Sequence, residues 1–242
     1  DIPFNDPSVY EILGSGETFG VFQLESEGMR RNVSELKPTS LGDISAMIAL
    51  YRPGPMEHIP TFIDAKHGRR ESKYPHPDLK PILEETYGVI VYQDQVLHIA
   101  RAFGGYTLGE ADILRKAMGK KDPLVMAAER EKFINGGVDM GYTRELSQHM
   151  FELIEPFAGY AFNKAHSASY AVIAYWTAYL KSNYELEYMV ALLDAAADNP
   201  DRLATAVREA RRLGVPVLAP NVNRGSVRFA AEETDDGRGA IR

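Results

Sequence analysis

The chain has 242 residues, 45% apolar and 25% charged, with a net charge of −7, the balance of a globular chain with room for a sizeable core. The acidic balance excludes a general polyanion binder, because sequence-independent affinity for nucleic acid needs many Lys and Arg contacts. Any phosphate site must then be a local basic cluster, and with no cysteine, disulfides and thiolate zinc sites are excluded as well.

Asp6-Pro7 reads as an N-cap followed by Pro at the first helical position, with a short helix over residues 9–13 that Gly14-Ser15-Gly16 ends. Residues 18–24 are rich in β-formers and alternate, which predicts a strand. Helical patterns follow at 28–36, 41–51 and 61–66, the last after the rigid turn Arg52-Pro53-Gly54-Pro55. That turn presents one cation, Arg52, and is read either as a phosphate ligand or as a plain loop. Residues 87–92 predict a second strand. Residues 94–103 predict an amphipathic helix with Val96, Leu97, Ile99, Ala100 and Phe103 on one face.

Thr107 and Glu110 form a capping box for the next helix. It runs into Arg115-Lys116-Ala117-Met118-Gly119-Lys120-Lys121, four cations in seven residues with no acid between them. Two cations would compensate a helix C-terminus, so four read as an electropositive wall. Asp122-Pro123 starts a helix to about Asn135, whose end Gly136-Gly137 and Gly141 are expected to mark. Thr143 caps another helix, with Leu146, Met150, Phe151 and Ile154 turned inward. Helices are also predicted at 185–197 and 201–213, and short strands at 215–218 and 227–229. Glu232–Gly239 reads as an acidic surface turn. The fold class is mainly α, with a few short β-strands.

The most informative stretch is Phe157–Tyr170. From Ala171 to Leu180 the chain is small, apolar or aromatic apart from Thr177, and no charge falls between Lys164 and Lys181. This predicts a helix buried all round and too short to span a bilayer. At its entrance stand Tyr160, Asn163, Lys164 and His166. A helix start already favours anions, because its first N–H groups are unpaired. Adding Lys and His suits a phosphate, and adding Tyr suits a flat ring. The alternative is that Tyr160 and Asn163 only pack and cap, with Lys164 solvated and His166 a satisfied histidine.

No phosphate-binding Gly-rich loop, zinc-protease or calcium-loop pattern appears, and no carboxylate pair has metal-binding spacing. No catalytic or metal-binding residue is therefore assigned. No signal-peptide pattern or membrane-length apolar run is present, which reads as a cytoplasmic chain. Asp1-Ile2-Pro3 and Gly239-Ala240-Ile241-Arg242 read as cut ends of something longer.

Six stretches stand in order: Gly20–Met29, Ala49–Pro55, Phe62–Gly68, Glu85–Gln93, Leu114–Lys121 and Phe157–Lys164. Together they closely resemble the alpha subunits of bacterial DNA polymerase III, the C-family replicative polymerases. The resemblance implies the helical fingers over residues 1–214, with 215–242 starting the connection toward the helix-hairpin-helix region. It implies that the palm aspartates, with their Mg²⁺ ions, lie upstream and that this fragment alone does not polymerise. The histidinol-phosphatase-like domain would also lie upstream, and the clamp-binding motif and the OB-fold downstream. Residue by residue, Arg115 and Lys116 would contact the incoming triphosphate, and Lys120 and Lys121 would extend that wall. Tyr160, Asn163, Lys164 and His166 would face the nascent base pair, with Arg52 a further candidate. The family more often has two arginines where this chain has Arg115-Lys116, and Lys lacks the planar fork. The implied partners are primer-template DNA, deoxynucleoside triphosphates and, through other regions, the sliding clamp and clamp loader, with no membrane. Two other classes compete: a non-catalytic helical module binding nucleic acid or a protein partner, and an independent nucleotide hydrolase.

Overall fold

The structure, a computed structural model, describes residues 2–120, 123–158, 161–234 and 237–242. In chain order its helices are α1 (Pro7–Ser15), α2 (Glu27–Leu36), α3 (Leu41–Leu50), α4 (Ile59–Lys66), α5 (Lys80–Leu83), α6 (Gln93–Gly104), α7 (Leu108–Lys120), α8 (Pro123–Asp139), α9 (Arg144–Ala158), α10 (Lys164–Asn183), α11 (Glu185–Ala196) and α12 (Pro200–Arg212). Two short strands follow, β1 (Ala231–Glu233) and β2 (Gly239–Ile241). The mainly α class read from the sequence is the class observed. The chain divides into two compact units, Gly42–Ala171 and the pair of segments Asp1–Leu41 with Val172–Arg242.

In the unit Gly42–Ala171 the core is the inward face of α6 (Val96, Ile99, Ala100, Phe103) packed on Leu114, Phe133, Met150, Phe151 and Ile154. The period-3.6 apolar positions put those residues on single faces. Residues 43–50 of α3 are all buried, including Asp43, whose carboxylate takes a 2.8 Å bond from Lys66 Nζ and one from the Tyr87 hydroxyl at 3.3 Å. Gly136 and Gly137 do not end α8 as expected. They lie inside it, because α6 and α9 come too close for a side chain. A Cβ on Gly136 would fall 2.0 Å from Gly104 O, and one on Gly137 2.2 Å from Ser147 Oγ and 2.5 Å from Phe103 O. Gly141, at φ 94°, stands just beyond the end of α8.

The predicted strand at 87–92 is not one. Tyr87 and Gly88 turn through positive φ, and only Tyr92 pairs, in a single parallel bridge with Phe162. Residues 89–92 are buried. Gln95 Oε1 takes the place of a neighbouring strand, accepting from the N–H of Val91 at 2.8 Å and of Tyr92 at 2.9 Å.

In the other unit, Met189, Leu193, Ala206, Ala210, Val215 and Ile241 form the core between α11, α12 and β2. β1 and β2 are antiparallel, with Glu232 opposite Ala240, so the stretch read as an acidic turn is a hairpin whose strands are its flanks. The strands expected at 215–218 and 227–229 reduce to one bridge, Val217 to Ile241; in the second stretch Val227 is fully exposed and Phe229 N donates to the Asp194 side chain at 2.9 Å, not to a strand. The strand expected at 18–24 is a series of turns. Val21 N bonds to Thr18 O and Leu24 N to Val21 O, Gly20 and Gln23 take positive φ, and the buried residues Thr18, Val21 and Leu24 repeat every third position rather than every second.

Residues 172–183 of α10 are not buried all round, as expected from their apolar run. Ala174, Tyr175 and Ala178 are fully buried, while Ile173, Trp176 and Leu180 are exposed. Lys181 is the unexpected core residue. Its side chain is 0% exposed, and its ammonium donates to Glu17 O at 2.7 Å, Phe19 O at 2.8 Å and Glu209 Oε1 at 2.6 Å. Three donors meet three acceptors. Arg212 joins the cluster, reaching Glu17 Oε2 at 2.8 Å and Glu209 at 2.9 Å.

Candidate functional site

All the candidate residues that the structure describes belong to the unit Gly42–Ala171. The start of α10 is fixed from three sides. Phe162 N donates to Val91 O and Gln93 N to Phe162 O, both at 2.9 Å. Asn163 is the N-cap: its Oδ1 accepts from His166 N at 3.0 Å and its carbonyl from Ser167 N at 3.2 Å, as a capping amide should. Beneath the first turn runs a buried hydroxyl chain. The Tyr92 hydroxyl donates to Ser45 Oγ at 3.1 Å, Ser45 Oγ meets Ser167 Oγ at 2.9 Å, and Ser167 Oγ lies 3.2 Å from Lys164 O. Burial, more than any neighbouring group, pushes the Tyr92 phenol up to about 12.

On this base stand the cation and the rings. Lys164 Nζ is gripped by both carboxylate oxygens of Glu85, at 2.8 and 2.7 Å, and lies 5.4 Å from the Tyr92 ring centre. The His166 ring leans on Tyr170 at 4.3 Å and meets Phe162 edge-on at 5.5 Å. The Arg52 guanidinium stacks over Phe162 at 4.6 Å from its centroid, while its Nε donates to Ala49 O at 2.9 Å. Burial lowers the Arg52 pKa from its usual value. The site is thus a cationic and aromatic surface: Phe162 carries a guanidinium on one side and an imidazole at its edge.

The second group is on α7. Thr107 and Glu110 cap it as expected, Thr107 N donating to Glu110 Oε2 at 2.9 Å and Glu110 N to Thr107 Oγ1 at 3.3 Å. At the other end Arg115 and Lys116 share one carboxylate. Arg115 bonds Asp112 Oδ1 through Nε at 3.1 Å and Nη2 at 2.8 Å, and Lys116 Nζ bonds Oδ2 at 2.7 Å. Bonds from Lys116, then Arg115, hold the Asp112 carboxyl below its usual value. The electropositive wall expected here is therefore partly neutralised. The acid lies just upstream, at the i−3 and i−4 positions that a helix brings alongside.

Asn163, Lys164 and His166 are brought together in one turn, and Arg115 and Lys116 in another. Among the described residues, no hydrogen bond, ion pair or ring contact joins the two groups. Lys121, Tyr160 and the side chain of Lys120 lie outside the described residues. Sequence reasoning missed Glu85, Asp112 and the Ser45–Ser167 support. The helical spacing could have found Asp112, but nothing local signals Glu85, which is 79 positions from Lys164. Among the described residues no group of three His, Cys, Asp or Glu side chains could hold a metal ion. No helix among them is long and apolar enough to cross a membrane.

The profile of the bacterial DNA polymerase III alpha subunit finger domain matches residues 1–141. The DNA polymerase III subunit alpha of Borreliella burgdorferi is 48% identical over 237 residues, covering 98% of this chain and 20% of that protein. That of Thermus aquaticus is 48% identical over 248 residues, covering 100% and 20%. That of Pseudomonas aeruginosa is 46% identical over 244 residues, covering 98% and 21%. The chain spans about a fifth of the length of these relatives. The match over more than half the chain, together with the six ordered motifs, means that this chain belongs to the bacterial DNA polymerase III alpha subunit finger-domain family.

Proposed function

We propose that the chain is the nucleotide-binding fingers of a DNA-directed DNA polymerase, a nucleotidyltransferase that extends a primer on a template in bacterial chromosome replication. Residues 1–214 are the fingers, and 215–242 begin the connection toward the helix-hairpin-helix region. Arg115, Lys116, Lys120 and Lys121 bind the triphosphate of the incoming deoxynucleotide. Tyr160, Asn163, Lys164 and His166 face the nascent base pair, the Lys164 ammonium also reaching the phosphates of the nucleotide, with Arg52 behind Phe162. The observation that carries this reading is the first turn of α10. There a capped helix start, a lysine and an imidazole sit on buried hydroxyls beside a stacked guanidinium.

Phosphoryl transfer asks little covalent chemistry of the protein. It needs positioning and neutralisation of charge spread over phosphate oxygens. In a chain of net charge −7, two compact cation groups are where such charge is met. The arginine supplies a planar fork and the lysines point charges. The bond-making carboxylates and their Mg²⁺ belong to the palm, outside this chain, so this part alone does not polymerise. Primer-template DNA, the sliding clamp and the clamp loader are the partners of the whole protein, in the cytoplasm.

The test is primer extension by the full-length polypeptide carrying Arg115→Ala or Lys164→Ala. Loss of a charge-assisted bond to phosphate costs about 1.5–3 kcal/mol, so KM for deoxynucleotide should rise about 10- to 100-fold with binding to primer-template little changed. Unchanged KM and kcat in both variants would refute the assignment. Salt-steep DNA binding with no preference for triphosphate would favour a binding module instead.

A further inference from the structure

Both cation groups of the nucleotide reading carry their own counter-ion. Lys164 Nζ has both oxygens of Glu85, and the two side chains are 42% and 48% exposed. Arg115 and Lys116 divide the two oxygens of Asp112, which is 38% exposed. Pairs this accessible to water are screened and weak, yet they hold long side chains in one orientation. A triphosphate offers more charge and more acceptor oxygens than one carboxylate, and charge-assisted bonds to phosphate are among the stronger ones. Glu85 and Lys164 border an open cavity of about 510 Å³ that Glu84, Asp94 and His98 also line, so the pair is reachable from it.

We propose that Glu85 and Asp112 are displaceable counter-ions of the triphosphate site. They hold Lys164, Arg115 and Lys116 in order before the nucleotide arrives and yield them to its phosphate oxygens. The inference rests on the nucleotide-binding reading above. It makes these two carboxylates setters of nucleotide affinity that act through the cations. The sign follows from competition. Removing the competitor frees the cation, so the neutral variants bind nucleotide more tightly.

The experiment uses the full-length polypeptide in steady-state single-nucleotide extension at fixed, moderate salt. Glu85→Gln and Asp112→Asn should each lower KM for deoxynucleotide about two- to fivefold, the equilibrium factor of an exposed ion pair, with kcat within about twofold. Glu84→Gln makes the same charge change one residue away without breaking the bond to Lys164, and should leave KM where it is. In a Lys164→Ala background, Glu85→Gln should have no further effect, a coupling that a general fold defect would not produce. If Lys164→Ala raises KM but Glu85→Gln leaves it unchanged or raises it, the counter-ion role is wrong and the nucleotide reading stands. An equal effect of Glu84→Gln also overturns the role. If Lys164→Ala and Arg115→Ala both leave KM unchanged, the nucleotide reading itself falls, and this inference with it.

Discussion

Replacing Gly136 by alanine should destabilise the chain although alanine is the better helix former. Gly136 lies inside α8, where a Cβ would sit 2.0 Å from Gly104 O and 2.9 Å from Gly104 C. Real Cβ atoms essentially never come within 3.0 Å of a non-bonded heavy atom, so α8 would have to retreat from α6 by about an ångström. The obstacle is backbone, and no rotamer can relieve it. Forced overpacking costs about 1–3 kcal/mol, and the upper end applies where neither partner can yield. The gain in helix propensity is about 1 kcal/mol, leaving a net loss of about 2 kcal/mol. Equilibrium urea unfolding followed by far-UV circular dichroism would show it as a lower midpoint with an unchanged slope. Gly109→Ala in α7 is the control. No heavy atom lies within 4 Å of its added Cβ, so that variant should gain up to about 0.5–1 kcal/mol. A Gly136→Ala chain as stable as the parent would show that the two helices do not cross this closely.

The remaining expectations concern titration. Burial raises the pKa of Glu209, but bonds from Arg212 and Lys181 more than reverse this and hold the carboxyl below its ordinary 4.5. The folded chain then binds fewer protons than the unfolded one near that pH. This contribution to stability is full above about pH 4.5 and is lost as pH falls through the lowered folded value. Glu209→Gln should be less stable by about 1.5–3 kcal/mol at pH 7, and the gap should close in acid. A gap independent of pH would refute the pairing. At the alkaline end, burial pushes the Tyr87, Tyr92 and Tyr188 phenols up to about 12. Their contribution is present below pH 10 and lost as pH rises through about 12. Tyr106, Tyr142 and Tyr175 are raised as well, Tyr106 by burial and its bond to Glu129, so absorbance at 295 nm should show six of the thirteen tyrosines ionising late. A single transition of all of them near 10 would contradict their burial.

Much of the helical framework was legible because its signals are local. Asp6-Pro7, the Thr107–Glu110 box and Thr143 all cap where their side-chain chemistry predicts, and the inward face of α6 follows from period alone. The strands misled for one shared reason. Residues 18–24 and 87–92 have β-forming side chains, but what pairs them is not a strand. In one case the backbone curls on itself around the Thr18 hydroxyl, which reaches Leu24 O at 2.6 Å. In the other a glutamine side chain replaces the neighbour. Composition reports what a side chain prefers, and pairing depends on what the rest of the fold supplies. The double glycine of α8 misled likewise, because a close helix crossing and a helix stop ask for the same residue. At the candidate site the cations and the cap could be read from residue types at helical spacing. Glu85, Ser45 and the guanidinium on Phe162 depend on contacts between positions tens to about a hundred residues apart, which no local pattern encodes.

Lys181 has a consequence for how this chain can be watched. An amine-acylating reagent needs a neutral, reachable nitrogen, and this one is sealed in with every N–H engaged. Surface lysines will be modified at once, whereas Lys181 can react only in the moments when its acceptors on the 17–19 turn and α12 let go. With reagent in excess, its labelling rate becomes the frequency of that opening rather than a property of the amine. The residue that fastens this unit is therefore also a chemical clock for its unfastening, readable by mass spectrometry without any added probe.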